Sequence, residues 1–440
     1  MKKSKDVIII GLALFAMFFG AGNLIFPPKL GAELGSSWTT GVLGFSLADA
    51  GISFIAIIAV ALSDGKIHTM GEKVHPKFGI FLGIIVALIL GPLLSVPRTG
   101  AVAYEMGIKP IFPQINLFWF SLIYFAIAFV ILMDPKNIID KIGKVLTPLL
   151  LLGLSAIIIK GIMSPSVIPG DSTLASGFGT SILEGYQTVD GLGALLLTGF
   201  VINSLREKGY KKKKTILRMT IYAAILASIL VTVIYASLMY LGATQGALFP
   251  QDISRSNLFT SIVYGLLGNV GMDFMALAVT MACFTTAVGL TATIGKFFEE
   301  NIFKHRIKYK WIVAGMMLIS FALSNLGVEL IIKASEPVLK IVYPVTVVLI
   351  LLKLVEKYLR SKITWRLAVL GCLIINIPGF CHITGIHFPF ATPLSIGFPM
   401  VEWEMEWLIP SILVALIVEG IYRLVKRNII EKDLKTIKIK

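Results

Sequence analysis

The stretch Phe18-Phe19-Gly20-Ala21-Gly22-Asn23-Leu24-Ile25-Phe26-Pro27-Pro28 lies inside the first strongly apolar segment of the chain. Each glycine weakens a helix by about 1 kcal/mol relative to alanine, and each proline removes a backbone donor. Two readings are open. In one, the glycines let a neighbouring helix approach closely and Pro27-Pro28 end the segment. In the other, the chain unwinds here and the freed amides and carbonyls hold an ion and a substrate. The choice turns on the solvent around the segment.

That solvent is lipid. Of 440 residues, 56% are hydrophobic and 15% charged, and the mean hydropathy is +0.86. A soluble domain carries more charge than this. A helix that crosses a bilayer needs about 20 apolar residues. By that criterion twelve spans are expected, at roughly 6–27, 38–62, 78–97, 115–133, 143–163, 183–204, 218–241, 271–295, 311–330, 337–354, 365–383 and 405–424. The runs are continuously apolar rather than alternating, which predicts helices and excludes a β-barrel. The expected fold class is an all-α integral membrane protein: one transmembrane domain over 1–440, with a basic tail at 425–440.

Lys and Arg set the orientation. Lys2, Lys3 and Lys5 at the start, with an even number of spans, put both termini in the cytoplasm. Of the 40 Lys and Arg, only Lys29, Arg98, Lys109, Lys160, Arg255, Lys333 and Lys340 then fall outside or near the outer ends. This is the asymmetry that the positive-inside rule describes. The net charge of +15 is therefore topological, and the run Lys211 to Lys214 is not read as a nucleic-acid site. Cys283, Cys372 and Cys381 lie within or at the edge of spans, so no disulfide framework is expected. The five histidines lie in loops or at span ends, which gives no support for a metal centre.

A second interruption occurs in span 6, which reads Glu184-Gly185-Tyr186-Gln187-Thr188-Val189-Asp190-Gly191-Leu192-Gly193. It comes 166 positions after Gly20, counted to Tyr186, or five spans later. A five-span repeat is odd-numbered, so its second copy starts from the opposite side of the membrane. Broken helices at matching places in two inverted halves point to the midplane site of a secondary transporter. Repeat one is expected at about 6–163 and repeat two at about 183–354.

Several stretches resemble the bacterial branched-chain amino acid:cation symporters of the BrnQ type. They are 20–28, Gly91-Pro92 with Pro97-Arg98-Thr99, Glu105 with Gly107, 185–190, 286–291, Ser324-Asn325-Leu326-Gly327, Pro337-Val338-Leu339 and Tyr343-Pro344. They run in order over the whole chain. The resemblance implies the leucine-transporter fold: ten core helices in a 5+5 inverted repeat with discontinuous helices 1 and 6, plus two peripheral helices at about 365–424. It also implies a bacterial cell membrane and a symporter, not an enzyme. Two positions depart from the pattern. Gln187 stands where an apolar residue is commoner, and Asp49 stands in the middle of span 2.

Such a site must match both charges of a zwitterion. Amides near Gly22-Asn23-Leu24 would meet the carboxylate at a helix N-terminus, with Gly20 and Ala21 also at the substrate. Tyr186, Thr188 and Asp190 supply the polar part of span 6, with Phe18, Phe19, Tyr186 and Val189 as apolar walls. One methylene in such a pocket discriminates by only about 1–3 kcal/mol. Leucine, isoleucine and valine are therefore expected as one substrate class. An ionisable residue at membrane depth is costly, so Asp190 either serves function or bonds a neighbouring helix. The resemblance makes Thr286, and secondarily Thr285, ligands of a coupling Na⁺, with carbonyls of Ala16, Phe19 and Ala282. Coupling to H⁺ through Asp190 or Asp49 is the alternative. Arg98 and Glu105 read either as a gating pair or as interfacial anchors. No cofactor beyond the ion, no nucleic acid and no obligate protein partner are expected. A membrane-embedded enzyme has no motif in its favour, and a channel would leave the paired breaks without a role.

Overall fold

The structure, a computed structural model, describes residues 2–65, 67–133, 138–385, 400–403 and 405–438. Positions 439–440 of the expected tail and 386–399 in the expected peripheral region lie outside them. Among the described residues all regular structure is helical. The helices are α1 (Lys2–Phe18), α2 (Ala21–Leu34), α3 (Trp38–Ser46), α4 (Ile52–Ala61), α5 (Phe78–Leu88), α6 (Ser95–Val102), α7 (Leu117–Leu132) and α8 (Ile138–Met163). They continue as α9 (Gly177–Tyr186), α10 (Asp190–Glu207), α11 (Lys213–Gln245), α12 (Arg255–Phe297), α13 (Tyr309–Ser324), α14 (Val328–Leu354), α15 (Lys362–Thr384) and α16 (Leu408–Lys438).

Among the described residues, eight helical stretches, some joining consecutive helices, are long and apolar enough to cross a membrane, and three shorter apolar helices accompany them. The outer surface agrees. Leu43, Val130, Leu152 and Leu318 are 68%, 69%, 69% and 68% exposed. A monomer in water does not present large apolar side chains so widely; hydrocarbon is their natural solvent.

The chain forms two compact units. One holds 1–65 and 84–336, the other 66–83 and 337–440. In the second, α15 packs on α16, and the Glu419 carboxylate caps α15. It accepts the Arg360 and Ser361 amides at 2.9 and 3.2 Å and the Thr364 hydroxyl at 3.0 Å. Glu356 there pairs with Lys73 at 2.9 Å and Lys353 at 2.6 Å.

In the first unit, span 1 does not end at Pro27-Pro28: α2 carries both prolines inside it and runs on to Leu34. Close packing on α11 is the physical reason. A Cβ at Gly31 would lie 2.0 Å from the Met239 carbonyl oxygen, and one at Gly242 would lie 1.9 Å from that of Pro28. The two backbones touch, and that contact holds α2 together past the prolines. Span 3 likewise runs on from Phe78 to Ile108, beyond the expected end at 97.

Candidate transport site

Three spans break around one cavity. In span 1, Phe19 and Gly20 separate α1 from α2, and Gly20 is extended (φ −118°, ψ −160°). Pro27 and Pro28 cannot donate to the carbonyls of Asn23 and Leu24, which loosens the same turn. In span 6 the break covers 187–189, between α9 and α10. Its pivot is not a glycine but Val189, held left-handed at φ 60°, ψ 15°. For a β-branched residue this costs on the order of 1–3 kcal/mol and persists only where the surroundings enforce it. Gly185 serves packing instead, because a Cβ there would meet Ala48 at 2.7 Å. The third break, in span 3, was not expected. Gly91 (ψ −116°) and Leu94 (φ −134°, ψ −67°) both leave helical geometry around Pro92.

A buried polar network ties these breaks together. The Asn23 side-chain oxygen accepts the Gly20 amide at 3.0 Å. Its nitrogen donates to Asp190 Oδ2 at 2.7 Å and also to the Tyr235 hydroxyl on α11. Tyr235 in turn donates to Asp49 Oδ2. Asp49 sits in a π-helical turn, Leu47–Gly51, in the middle of span 2, and is 1% exposed. Its other oxygen receives the Thr188 hydroxyl at 2.7 Å. Every polar atom of Asn23 is thereby assigned, which fixes the orientation of its amide. Spans 1, 2, 6 and 7 meet in this chain of bonds.

Arg98, on α6, is 2% exposed. It does not reach Glu105, so the structure does not bring that proposed gating pair together. Arg98 Nη1 donates to the Gln187 carbonyl at 2.6 Å and Nη2 to that of Thr188 at 3.3 Å, both in the span 6 break. Glu105 accepts the Val328 amide at 3.0 Å and so caps the start of α14. Being two helical turns apart, the two side chains serve different neighbours.

The breaks enclose a cavity. Of the residues named from sequence, Phe18, Gly20, Ala21, Gly22, Asn23, Thr188, Val189, Asp190, Thr286 and Arg98 line it. Phe19 and Tyr186 are buried but do not line it; Phe19 stacks on Phe15 with ring centroids 5.2 Å apart. Sequence reasoning missed Met17, Leu90, Ser95, Thr99, Gly193, Leu197 and Leu290. The clues available for Ser95 and Thr99 were their polarity within an apolar run and the Gly91-Pro92 pair before them.

Of the residues named for the ion, Thr286 comes closest to the span 1 break. A Cβ on Gly20 would lie 3.3 Å from its hydroxyl oxygen, and that hydroxyl is buried without a hydrogen-bond partner among the described residues. The Thr285 hydroxyl donates to the Ala282 carbonyl at 2.8 Å, one turn back on α12. Ala16 lies in the last two turns of α1, on the other side of the break.

Beside the cavity, the Phe26 ring has two guanidinium groups near it, Arg98 at 5.6 Å and Arg255 at 5.5 Å from its ring centre. Arg255 is paired with Glu184 at 2.6 Å and Glu329 at 2.7 Å.

The described residues form a helical bundle with a broadly apolar surface and helices broken around an internal cavity. Two solved structures share the fold. One is a Na⁺-coupled sialic acid symporter in a substrate-bound, outward-open state, at TM-score 0.57 and 12% identity over 93% of this chain and 90% of that one. The other is Mhp1, a nucleobase-cation-symport-1 family transporter in a closed conformation, at TM-score 0.57 and 12% identity over 94% and 93%. The chain is 34% identical over 431 residues to the branched-chain amino acid permease BraB of Bacillus subtilis (strain 168), covering 94% of each. The family model described as branched-chain amino acid transport protein matches residues 3–425. The chain belongs to that family, a family of membrane transporters and not of enzymes.

Proposed function

We propose that this protein is a secondary active symporter that imports leucine, isoleucine and valine with Na⁺ by alternating access. The proposal includes twelve spans, a 5+5 inverted repeat with two peripheral helices, and both termini in the cytoplasm of a bacterium. The single observation that carries it is the pair of breaks in spans 1 and 6, joined by the Asn23–Asp190 bond at the wall of one cavity. An amino acid fits between them because the site offers first-turn amides of α2, an apolar flank at Phe18, Val189 and Leu290, and a carboxylate at Asp190. The donors available to a carried Na⁺ are hard, neutral oxygens: the Thr286 hydroxyl, the Thr285 hydroxyl and carbonyls around the break. Each Na⁺ moving inward on 100 mV contributes about 2.3 kcal/mol.

A specific observation favours proton coupling as a second reading. The single hydroxyl proton of Thr188 has two acceptors at 2.7 Å, Asp49 Oδ1 and the Gly185 carbonyl. It serves Asp49 when that carboxylate is charged, and is free for Gly185 when Asp49 carries its own proton.

The deciding experiment is uptake of labelled leucine into proteoliposomes under an imposed Na⁺ or pH gradient. Accumulation driven by Na⁺ alone, with mutual competition by isoleucine and valine, is expected. Uptake of lysine or glutamate in their place would contradict the substrate class, and accumulation driven only by pH would replace the ion.

A further inference from the structure

We propose that Arg98 is the residue that receives the carboxylate of the transported amino acid, acting with the first turn of α2. The inference rests on the transport reading above and names the group that reads the substrate's charge.

Buried charges are normally paired, because an unpaired ion in low dielectric costs several kcal/mol. Other buried or half-buried cations follow this rule. Arg255 has two carboxylates within 2.7 Å, and Lys208 has Asp6 at 2.9 Å. Arg98 has no carboxylate within 4.0 Å among the described residues, although it is 2% exposed. Its two terminal nitrogens meet the carbonyls of Gln187 and Thr188, which carry no net charge, and its Nε–H is buried without an acceptor among the described residues. The guanidinium faces the cavity. The Nε–H is left over, and the opposite charge that acts on the guanidinium, Asp190, does so from beyond ion-pair distance, so an anion at the guanidinium would answer both.

The placement of α2 fits the same ligand. A Cβ on Gly22 would lie 3.0 Å from Arg98 Nη2, so the missing side chain is what lets the guanidinium rest against the first turn of that helix. First-turn amides have no intrahelical partners and sit at the positive end of the dipole. Two kinds of anion donor therefore converge on one corner of the cavity, and a planar carboxylate matches a guanidinium fork. Asp190 lines the same cavity and carries the opposite charge. A zwitterion laid from Arg98 to Asp190 meets a complementary charge at each end. The ligand class is an α-amino acid with a free carboxylate. Its amide, alcohol or amine analogues would leave Arg98 unanswered.

Arg98 could instead serve only to latch the span 6 break through the two carbonyls. The two roles separate in a competition assay on the purified full-length protein, with labelled leucine displaced by unlabelled leucine, leucinamide or leucinol. In the wild type, leucinamide and leucinol should compete about a hundredfold less well than leucine. Arg98→Gln should weaken leucine at least about tenfold while leaving leucinamide nearly unchanged, so the preference collapses. Arg98→Lys, which keeps the charge but loses the fork, should retain part of the preference. A parallel loss for leucine and leucinamide in Arg98→Gln marks a latch and overturns the inference. If Arg98→Gln does not fold, the wild type decides: leucinamide competing as well as leucine overturns it. A wild type that binds leucine while Arg98→Gln keeps the full preference sinks this inference alone. A wild type that binds no branched-chain amino acid sinks the transport reading and this inference with it.

Discussion

Asn23 on α2 donates to Asp190 on α10 across 2.7 Å, so the amide beside one break holds the carboxylate beside the other. The two residues are 167 positions apart, and both are at least nine-tenths buried. Removing either leaves a buried polar group unanswered, at about 1–3 kcal/mol. Asn23→Ala and Asp190→Ala should each weaken leucine binding by about tenfold or more. Measured with the double variant, the two losses should fall short of adding by more than roughly 0.5 kcal/mol. Strict additivity would mean that the bond does not link the breaks in function.

Three glycines of span 1 divide by role. Gly20 and Gly22 face Thr286 and Arg98, whereas Gly31 faces the Met239 backbone. Gly20→Leu and Gly22→Leu should abolish uptake with expression and membrane insertion nearly normal, because the new side chains fill the cavity. Gly31→Leu should fail at folding, since a backbone cannot step aside. Uptake surviving in Gly20→Leu, with expression lost instead, would return Gly20 to a packing role.

Thr286 and Asp49 separate the candidate ions. With Na⁺ as driver, Thr286→Ala should raise the Na⁺ concentration for half-maximal leucine uptake about tenfold, a loss of about 1.4 kcal/mol. Asp49→Asn should be largely tolerated, because an amide oxygen still accepts from Tyr235 or Thr188. The opposite pattern, with Na⁺ dependence intact in Thr286→Ala and pH-driven uptake gone in Asp49→Asn, assigns the coupling to protons.

The Arg255 cluster has a kinetic signature. Arg255 and Arg98 both lie against the Phe26 ring, and Arg255 is anchored to Glu184 and Glu329. If this stack closes the cavity, Arg255→Gln should quicken leucine dissociation several-fold with a smaller change in association. Unchanged dissociation would leave the cluster a structural brace.

The span 1 break was legible because glycine, asparagine and proline each weaken a helix, and an apolar run that gathers all three is poorly suited to stay continuous. The span 6 break was legible in place but not in form: nothing in a sequence marks Val189 for a left-handed backbone, which the folded surroundings impose. Arg98 was misplaced because Pro97-Arg98 reads as the end of an apolar run. The chain instead breaks at Gly91 to Leu94 and continues to Ile108. That carries Arg98 from the expected span end to the cavity. Asp49 stood out as a charge in an apolar span, but its partner Tyr235 did not, since tyrosine is ordinary in a membrane helix. A hydrogen bond between residues 186 apart is set by packing, which no local pattern encodes.

The central claim is that substrate and ion move together through one site, and coupling is reciprocal. The direct measurement is Na⁺ flux in sealed proteoliposomes given a leucine gradient and no ion gradient. Leucine running inward should carry labelled Na⁺ inward with it, even against a modest opposing Na⁺ gradient, and Thr286→Ala should lower this flux until Na⁺ is raised about tenfold. Leucine crossing with no accompanying Na⁺ would contradict the claim.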